Sequence, residues 1–324
     1  MRAYVIKRLL MVGPMLIGIT LISFFIIHLA PGSPTQSLTD LNPNISPQSI
    51  KKMRELYHLD DPLHVQYWLW LKKLAVLDFG DSFSQDSRPV IDKILERMPI
   101  TLLINALSMA LIFLIALPIG IESATRQYSW FDRISSLLVF FGFSMPTFWF
   151  ALLLMMLFGV YLGWLPISGV VSMDHAQLDG WGKFKDYAAH LFLPVTMSAL
   201  TSLAGLSRFT RQSMLEMVRQ DFVTCARAKG LPEWMVIYKH AMKNATLPVI
   251  TLMALSIPGL IGGSVIFETI YSIPGMGRLF YEAVMMRDYP LIMGELVIGA
   301  VLTLFANLLA DVLYASVDPR IRYE

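Results

Sequence analysis

Cysteine is nearly absent: Cys225 is the only one in 324 residues, so no intrachain disulfide forms, and it reads as a small filler residue rather than a redox group. Charge is scarce too. Asp, Glu, Lys and Arg make up 15% of the chain, against about 25% in ordinary soluble domains. No G-x-x-x-x-G-K-[ST] run is present, so no loop offers backbone amides and a lysine to cradle phosphates. The GMG at 275 to 277 lacks the third glycine of a dinucleotide loop and reads as a turn. The six histidines include no pair at helical ligand spacing and no HExxH, which argues against a metal site. No G-x-S-x-G elbow is present to carry a serine nucleophile. No repeat appears at the 20 to 50 residue periods of solenoids.

What the chain has instead is apolar length. Apolar residues make up 55% of it, and the mean hydropathy is +0.57. A membrane span needs about 20 mostly apolar residues. Six stretches qualify: roughly 9 to 30, 99 to 121, 134 to 160, 191 to 207, 246 to 266 and 291 to 317. The fourth is the weakest, diluted by Thr196, Ser198, Thr201 and Ser202. The expected fold class is an all-α integral membrane protein of about six transmembrane helices. The first apolar run is about 22 residues long, beyond the roughly 7 to 15 of a signal-peptide core, so it reads as an uncleaved span. Fourteen of the 26 basic residues fall on the side of the N-terminus, seven of them between 208 and 243, and the short loops opposite carry four. By the positive-inside rule both termini are cytoplasmic. The other eight lie in residues 31 to 98 with nine acids, a loop too long for that rule and read as an external segment.

Within that loop two short helices are expected: SPQSIKKMRELYHL, capped by Ser46 with Pro47 next, and DPLHVQYWLWLKKLA, starting at Asp61 and Pro62. The second is amphipathic, and Trp68 and Trp70 suit the membrane interface. Pro146, in FGFSMPTFWF, should kink the third span, with Ser144 or neighbouring helices repairing the lost backbone bond.

A charged stretch, TCARAKGLPEWMVIYKHAMKNATLP, residues 224 to 248, lies between two long apolar ones. A helix from about Met214 should end at Lys229, where Gly230 takes the left-handed conformation, and Pro232 should start another. Trp234, Ile237, Tyr238 and Ala241 then fall on one apolar helical face, with Lys239 and Lys243 on a polar one. Such an elbow fits two readings. Small residues at 226, 228 and 230 offer close approach to another protein, or the lysines rest on anionic lipid.

ARAKGL followed by HAMKNATLP resembles the cytoplasmic coupling loop, of EAA type, found in binding-protein-dependent ABC importer permeases. The subfamily is the peptide and nickel group, of dipeptide or oligopeptide permease B type. YVIKRLL at the N-terminus, HLAPGSP after the first span, FETIYSIPGMGRL in the last external loop and LYASVDPRIRY at the end extend the resemblance over nearly the whole chain. The sequence departs in having Thr224, Cys225 and Ala226 where the general consensus starts Glu-Ala-Ala. The longer spacing from Gly230 to Leu247 and Pro248 is similar to the peptide subfamily. The resemblance implies a type I ABC importer permease architecture with a long external loop after the first helix. It divides the chain into 1 to 30, an external loop 31 to 98, a core 99 to 317 with the coupling loop at 208 to 245, and a cytoplasmic tail 318 to 324. It further implies no cofactor in this chain, with ATP and Mg bound by two cytoplasmic ATPase subunits, a paralogous second permease, and an external substrate-binding protein. Ala226, Arg227, Ala228, Lys229 and Gly230 become the expected ATPase-coupling residues. The implied cargo is a peptide-like solute, with nickel or another small solute as the alternative.

Ionisable residues inside spans are costly and demand partners or water. Glu295, Asn307 and Asp311 are therefore candidates either for the path or for bonds that hold the bundle, Asn307 and Asp311 lying four apart beside Tyr314. Glu268 and Arg278 offer themselves to an external partner. An ion-coupled carrier would use Glu295 and Asp311 but has no need of the elbow. A membrane enzyme would need a convergent catalytic set that the sequence does not supply.

Overall fold

Length sets the architecture. In a computed structural model describing residues 2–29, 32, 48, 51, 54–55, 58–84 and 86–317, two helices outrun the rest: α3 (Val90–Thr125) with 36 residues and α6 (Gly180–Val218) with 39. At 1.5 Å per residue they reach ~54 and ~58 Å, nearly twice a hydrocarbon core of ~30 Å. Their ends must project beyond the membrane.

The other elements are α1 (Arg2–Leu29), α2 (Leu63–Ala75), α4 (Trp130–Ser144), α5 (Thr147–Leu154), α7 (Asp221–Ala228), α8 (Glu233–Met235), α9 (Met242–Ser256), α10 (Val265–Ile270), α11 (Met276–Met286) and α12 (Tyr289–Val317). Among the described residues, extended backbone pairs only at an isolated bridge, Asp81 with Pro89. The fold is therefore all-helical.

Among the described residues, four helices are long and apolar enough to span: Ile6–Leu29, Val90–Thr125, Gly180–Val218 and Tyr289–Asp311. The third predicted span is broken. Trp130–Gly142 and Thr147–Tyr161 meet at 103°, because Met145 is extended (φ −102°, ψ 138°) ahead of Pro146, which starts a new helix. Pro146 thus ends a helix where a kink was expected. Ser144 Oγ donates to Phe140 O at 2.8 Å, one turn back, and not to the Gly142 carbonyl that Pro146 leaves without an amide. The fifth span is a shorter apolar helix, Pro248–Leu260, since Ile257–Leu260 tightens into a 3₁₀ turn around Pro258 and Gly259.

α3 and α6 run parallel and touch closely. A Cβ placed on Gly120 would stand 2.6 Å from Thr210 Cβ and 2.7 Å from Ser207 O, the small-residue contact that helices in lipid use in place of a hydrophobic drive. α1 packs antiparallel to α12. Arg8 Nη2 reaches Asp311 Oδ2 at 3.1 Å near one end, and His28 lies 4.9 Å, ring to ring, from Tyr289 near the other. α2 docks on α1 through Tyr67, whose hydroxyl is 3.0 Å from Thr20 Oγ1. It begins one residue later than expected, with Pro62 at the cap and Asp61 beside His58 at 2.9 Å. The expected helix over 46 to 59 and the tail 318 to 324 lie largely or wholly outside the described residues. Leu10, Ile22, Ile26, Leu137 and Phe140 point outward on α1 and α4, as lipid-facing side chains should.

Candidate functional site

The elbow begins sooner than the periodicity predicts. A single helix from Met214 to Lys229 was expected. α6 instead stops at Val218, Gln220 turns extended (ψ 152°), and α7 runs separately over Asp221–Ala228. Asp221 at its first turn favours that restart. α7 then closes as the glycine demands. Gly230 has φ +77°. Its amide donates to Arg227 O at 2.9 Å, and the Leu231 amide donates to Ala226 O at 3.4 Å, the paired bonds of a Schellman closure. Pro232 follows as the cap of α8.

The second arm also departs from its predicted face. Residues Val236–Ala241 form a π-helical turn, which slips the register by a residue. Val236 and Ala241 are completely buried, while Trp234 and Tyr238 are 62% and 48% exposed. Phe222 of α7 is exposed as well, so both arms of the elbow carry outward aromatic side chains.

Of the five expected coupling residues, Ala226 is buried and the other four are exposed. Ala226 belongs to an apolar cluster with Ile121 and Ala124 of α3, Met214 of α6, Val223 of α7, Val236, Ala241 and Ala245. It packs the elbow onto the ends of the two long helices. Arg227 is already partnered within the chain. Its guanidinium holds Glu233 across the Gly230 turn, Nη2 to Oε1 at 2.7 Å and Nε to Oε2 at 3.2 Å. The hydrogen bonds from Arg227 keep the Glu233 carboxyl below its usual range. Ala228, Lys229 and Gly230 remain outward-facing.

Directly behind the elbow, Arg211 of α6 grips Asp132 of α4 with two bonds, Nε to Oδ1 at 2.8 Å and Nη2 to Oδ2 at 3.0 Å. Asp132 also accepts from the Tyr128 amide, and its own amide donates to Ser129 Oγ. The Ser-x-x-Asp spacing of SWFD was the sequence signal for this N-cap.

Between α3, α6 and α9 lies a cavity of about 620 Å³ whose polar lining includes Asn105, Ser108, Ser198, Ser202 and Ser256. Asn105 Nδ2 donates to the carbonyls of Leu260 and Gly262, each at 2.9 Å, and Ser108 Oγ donates to Val195 O. Ser198 and Ser202 are among the residues that dilute the fourth span, so the signal for the cavity was that dilution. Glu295, Asn307 and Asp311 do not line it. All three sit on α12, where Asp311 pairs with Arg8, and Glu295 is buried with Oε1 lacking a hydrogen bond among the described residues.

Opposite the elbow, FETIYSIPGMGRL folds inward. Glu268 does not face out. It is buried, accepts from Thr101 Oγ1 at 3.1 Å and from the Arg278 amide at 2.8 Å, and Thr101 Oγ1 in turn accepts from the Met276 amide. Burial pushes the Glu268 carboxyl above its usual range. Glycines 263, 275 and 277 make room: a Cβ on Gly275 would stand 2.5 Å from the Glu268 carboxyl. Arg278 reaches Glu282 at 2.8 Å.

Residues 116–323 match the family model of the binding-protein-dependent transport system inner membrane component, and residues 1–105 match its N-terminal companion. The chain is 44% identical over its full length to all of the oligopeptide transport system permease protein AppB of Bacillus subtilis. It is 38% identical over all of both chains to the dipeptide transport system permease protein DppB of Alkalihalophilus pseudofirmus. It is also 37% identical, over 99% of each chain, to the glutathione transport system permease protein GsiC of Salmonella typhimurium. With all-helical spans, a helical elbow and a polar cavity between parallel helices, the chain belongs to the binding-protein-dependent ABC importer permeases, and is a multi-pass transport subunit rather than an enzyme.

Proposed function

We propose that the chain forms, with a paralogous permease, the path for a peptide-like solute delivered by an external binding protein. Two cytoplasmic ATPases that bind ATP and Mg supply the work. Both termini and the elbow lie in the cytoplasm of a bacterial or archaeal cell, and the segment 31 to 98 lies outside the cytoplasmic membrane. The names of the full-length relatives support a peptide cargo. The serine-lined cavity suits a solute whose backbone amides and carbonyls need hydrogen-bonding partners.

One observation carries the mechanism. Ala226 seats the elbow in the same apolar cluster as Ile121 of α3 and Met214 of α6, and those two helices wall the cavity. A close-packed cluster transmits displacement because it cannot be compressed. When the ATPases close, the outward residues Arg227, Ala228, Lys229 and Gly230, with Phe222 and Trp234, move with them and carry α3 and α6 along. The cavity then opens to the other side, and hydrolysis resets it.

Purification from native membranes in mild detergent tests this reading. The wild type should bring down two ATPases and a related permease. Gly230→Arg should lose the ATPases while keeping the second permease. A chain that purifies alone, or partners that ignore the substitution, would mean that the docking surface lies elsewhere.

A further inference from the structure

Two cavities adjoin between α3, α4 and α6. One, of about 650 Å³, contains Arg208 and Arg211 with Ser123, Ser135, Ser136 and Ser207. The other, of about 400 Å³, is almost wholly apolar, walled by Leu138, Phe141, Gly142, Phe150 and Leu203. Ile119, Ser135 and Val139 line both, so the polar cleft runs into the apolar groove along α4. The charges in the cleft do not balance. Arg211 is committed to Asp132, whereas Arg208 is exposed and has no carboxylate partner among the described residues. One positive charge is left beside the exposed hydroxyl of Ser136, while Ser123, Ser135 and Ser207 are buried and hydrogen-bonded within the bundle.

The two halves call for a molecule that is anionic at one end and apolar along its length. A peptide in transit fits poorly, because this groove does not share the wall of α9 that closes the serine-lined cavity. α4 also turns Leu137, Leu138 and Phe140 outward, so the groove opens sideways towards lipid. The cleft lies at the end of α6 that leads into the basic stretch, where an anionic membrane surface is attracted to Lys and Arg.

We propose that this composite groove binds one anionic phospholipid, its phosphate at Arg208 and Ser136 and one acyl chain along the break between α4 and α5. The lipid fills the space that the 103° bend of the third span opens, next to the Arg211–Asp132 pair behind the elbow.

The assembled transporter is placed in discs of phosphatidylcholine with and without phosphatidylglycerol, and retained lipid is counted by native mass spectrometry. Phosphatidylglycerol should stay bound through delipidation, while phosphatidylcholine should not. Arg208→Gln should weaken retention about fivefold, the loss expected for one basic residue at an anionic headgroup. Arg208→Lys, which keeps the charge, should restore most of it. Gly142→Leu, whose Cβ has only ordinary contacts at 3.7 Å from Ala204, fills the groove without changing charge and should also release the lipid. Equal retention of the two lipids, or no effect of Arg208→Gln, overturns the proposal. Displacement of the lipid by inorganic phosphate alone also overturns it, since a soluble anion would then suffice.

Discussion

Arg227 and Glu233 clasp each other across Gly230, with the guanidinium Nη2 2.7 Å from the carboxylate Oε1. The clasp spans the one left-handed residue of the elbow, so it ties the end of α7 to the start of α8. Both side chains are substantially exposed, and pairs of this kind contribute only about 0.2–1 kcal/mol. The clasp sets the angle of the elbow more than its stability.

Gly230 therefore carries the larger local energy. Among the described residues nothing lies within 4 Å of a Cβ built there, so substitution costs conformation and not space. Gly230→Ala should destabilise the detergent-solubilised protein by about 1–2 kcal/mol, and Gly230→Asn by less, because Asn tolerates the left-handed region. Thermal unfolding of the two variants checks the order. Equal losses would mean that the turn is not held left-handed.

The contact of α3 with α6 leaves no room at Gly120, where a methyl group would meet Thr210 and a backbone carbonyl. Gly120→Ala should cost about 1–3 kcal/mol as overpacking. Gly120→Ala with Thr210→Ser, which removes the nearby methyl, should recover part of that. The double-mutant cycle measures the coupling, and strict additivity of the two losses would refute the contact.

Asp132 is buried and Arg211 is its ionic partner. Arg211→Met leaves a buried carboxylate uncompensated and should cost about 3–5 kcal/mol. Asp132→Asn with Arg211→Gln removes both charges and should be closer to the wild type than Arg211→Met alone. Comparing melting temperatures in one detergent decides it.

In the segment before α3, Asp86 pairs with Lys93 at 2.7 Å. Burial raises its pKa, but the hydrogen bonds from Lys93 and Ser84 outweigh that and hold the carboxyl at about 2, below the usual 3.8. A depressed folded-state pKa gives stability that is present above the unfolded value and lost as pH falls towards 2. Protection of the 78–93 segment from proteolysis should therefore be flat from neutral pH to about pH 4. Asp86→Asn should lower it across that range, by less than about 1 kcal/mol because Asp86 is nearly half exposed. A marked loss between pH 7 and 5 in the wild type would rule this out.

The sequence by itself determined the apolar lengths, the concentration of basic residues between 208 and 243, and the glycine that ends α7. These depend on neighbours along the chain: hydrocarbon thickness counts consecutive residues, and a left-handed cap needs a residue without a Cβ. It also placed the family blocks in order from end to end.

The rest was decided by packing between residues far apart in sequence. A regular period put Trp234, Tyr238 and Ala241 on one apolar face, but with a π turn at Val236–Ala241 that set divides, Ala241 buried beside Val236 and Trp234 and Tyr238 exposed. Ala226 looked like an open docking spot, yet the ends of α3 and α6 bury it. Glu268 looked external, and Thr101, 167 residues away, draws it inside. For Asp311 the sequence offered the path or a bond that holds the bundle, and the fold supplies Arg8 of α1 as its partner. In each case a partner that the local pattern does not contain settles where the side chain goes, because a buried polar or tightly packed group must find its complement wherever the fold brings one.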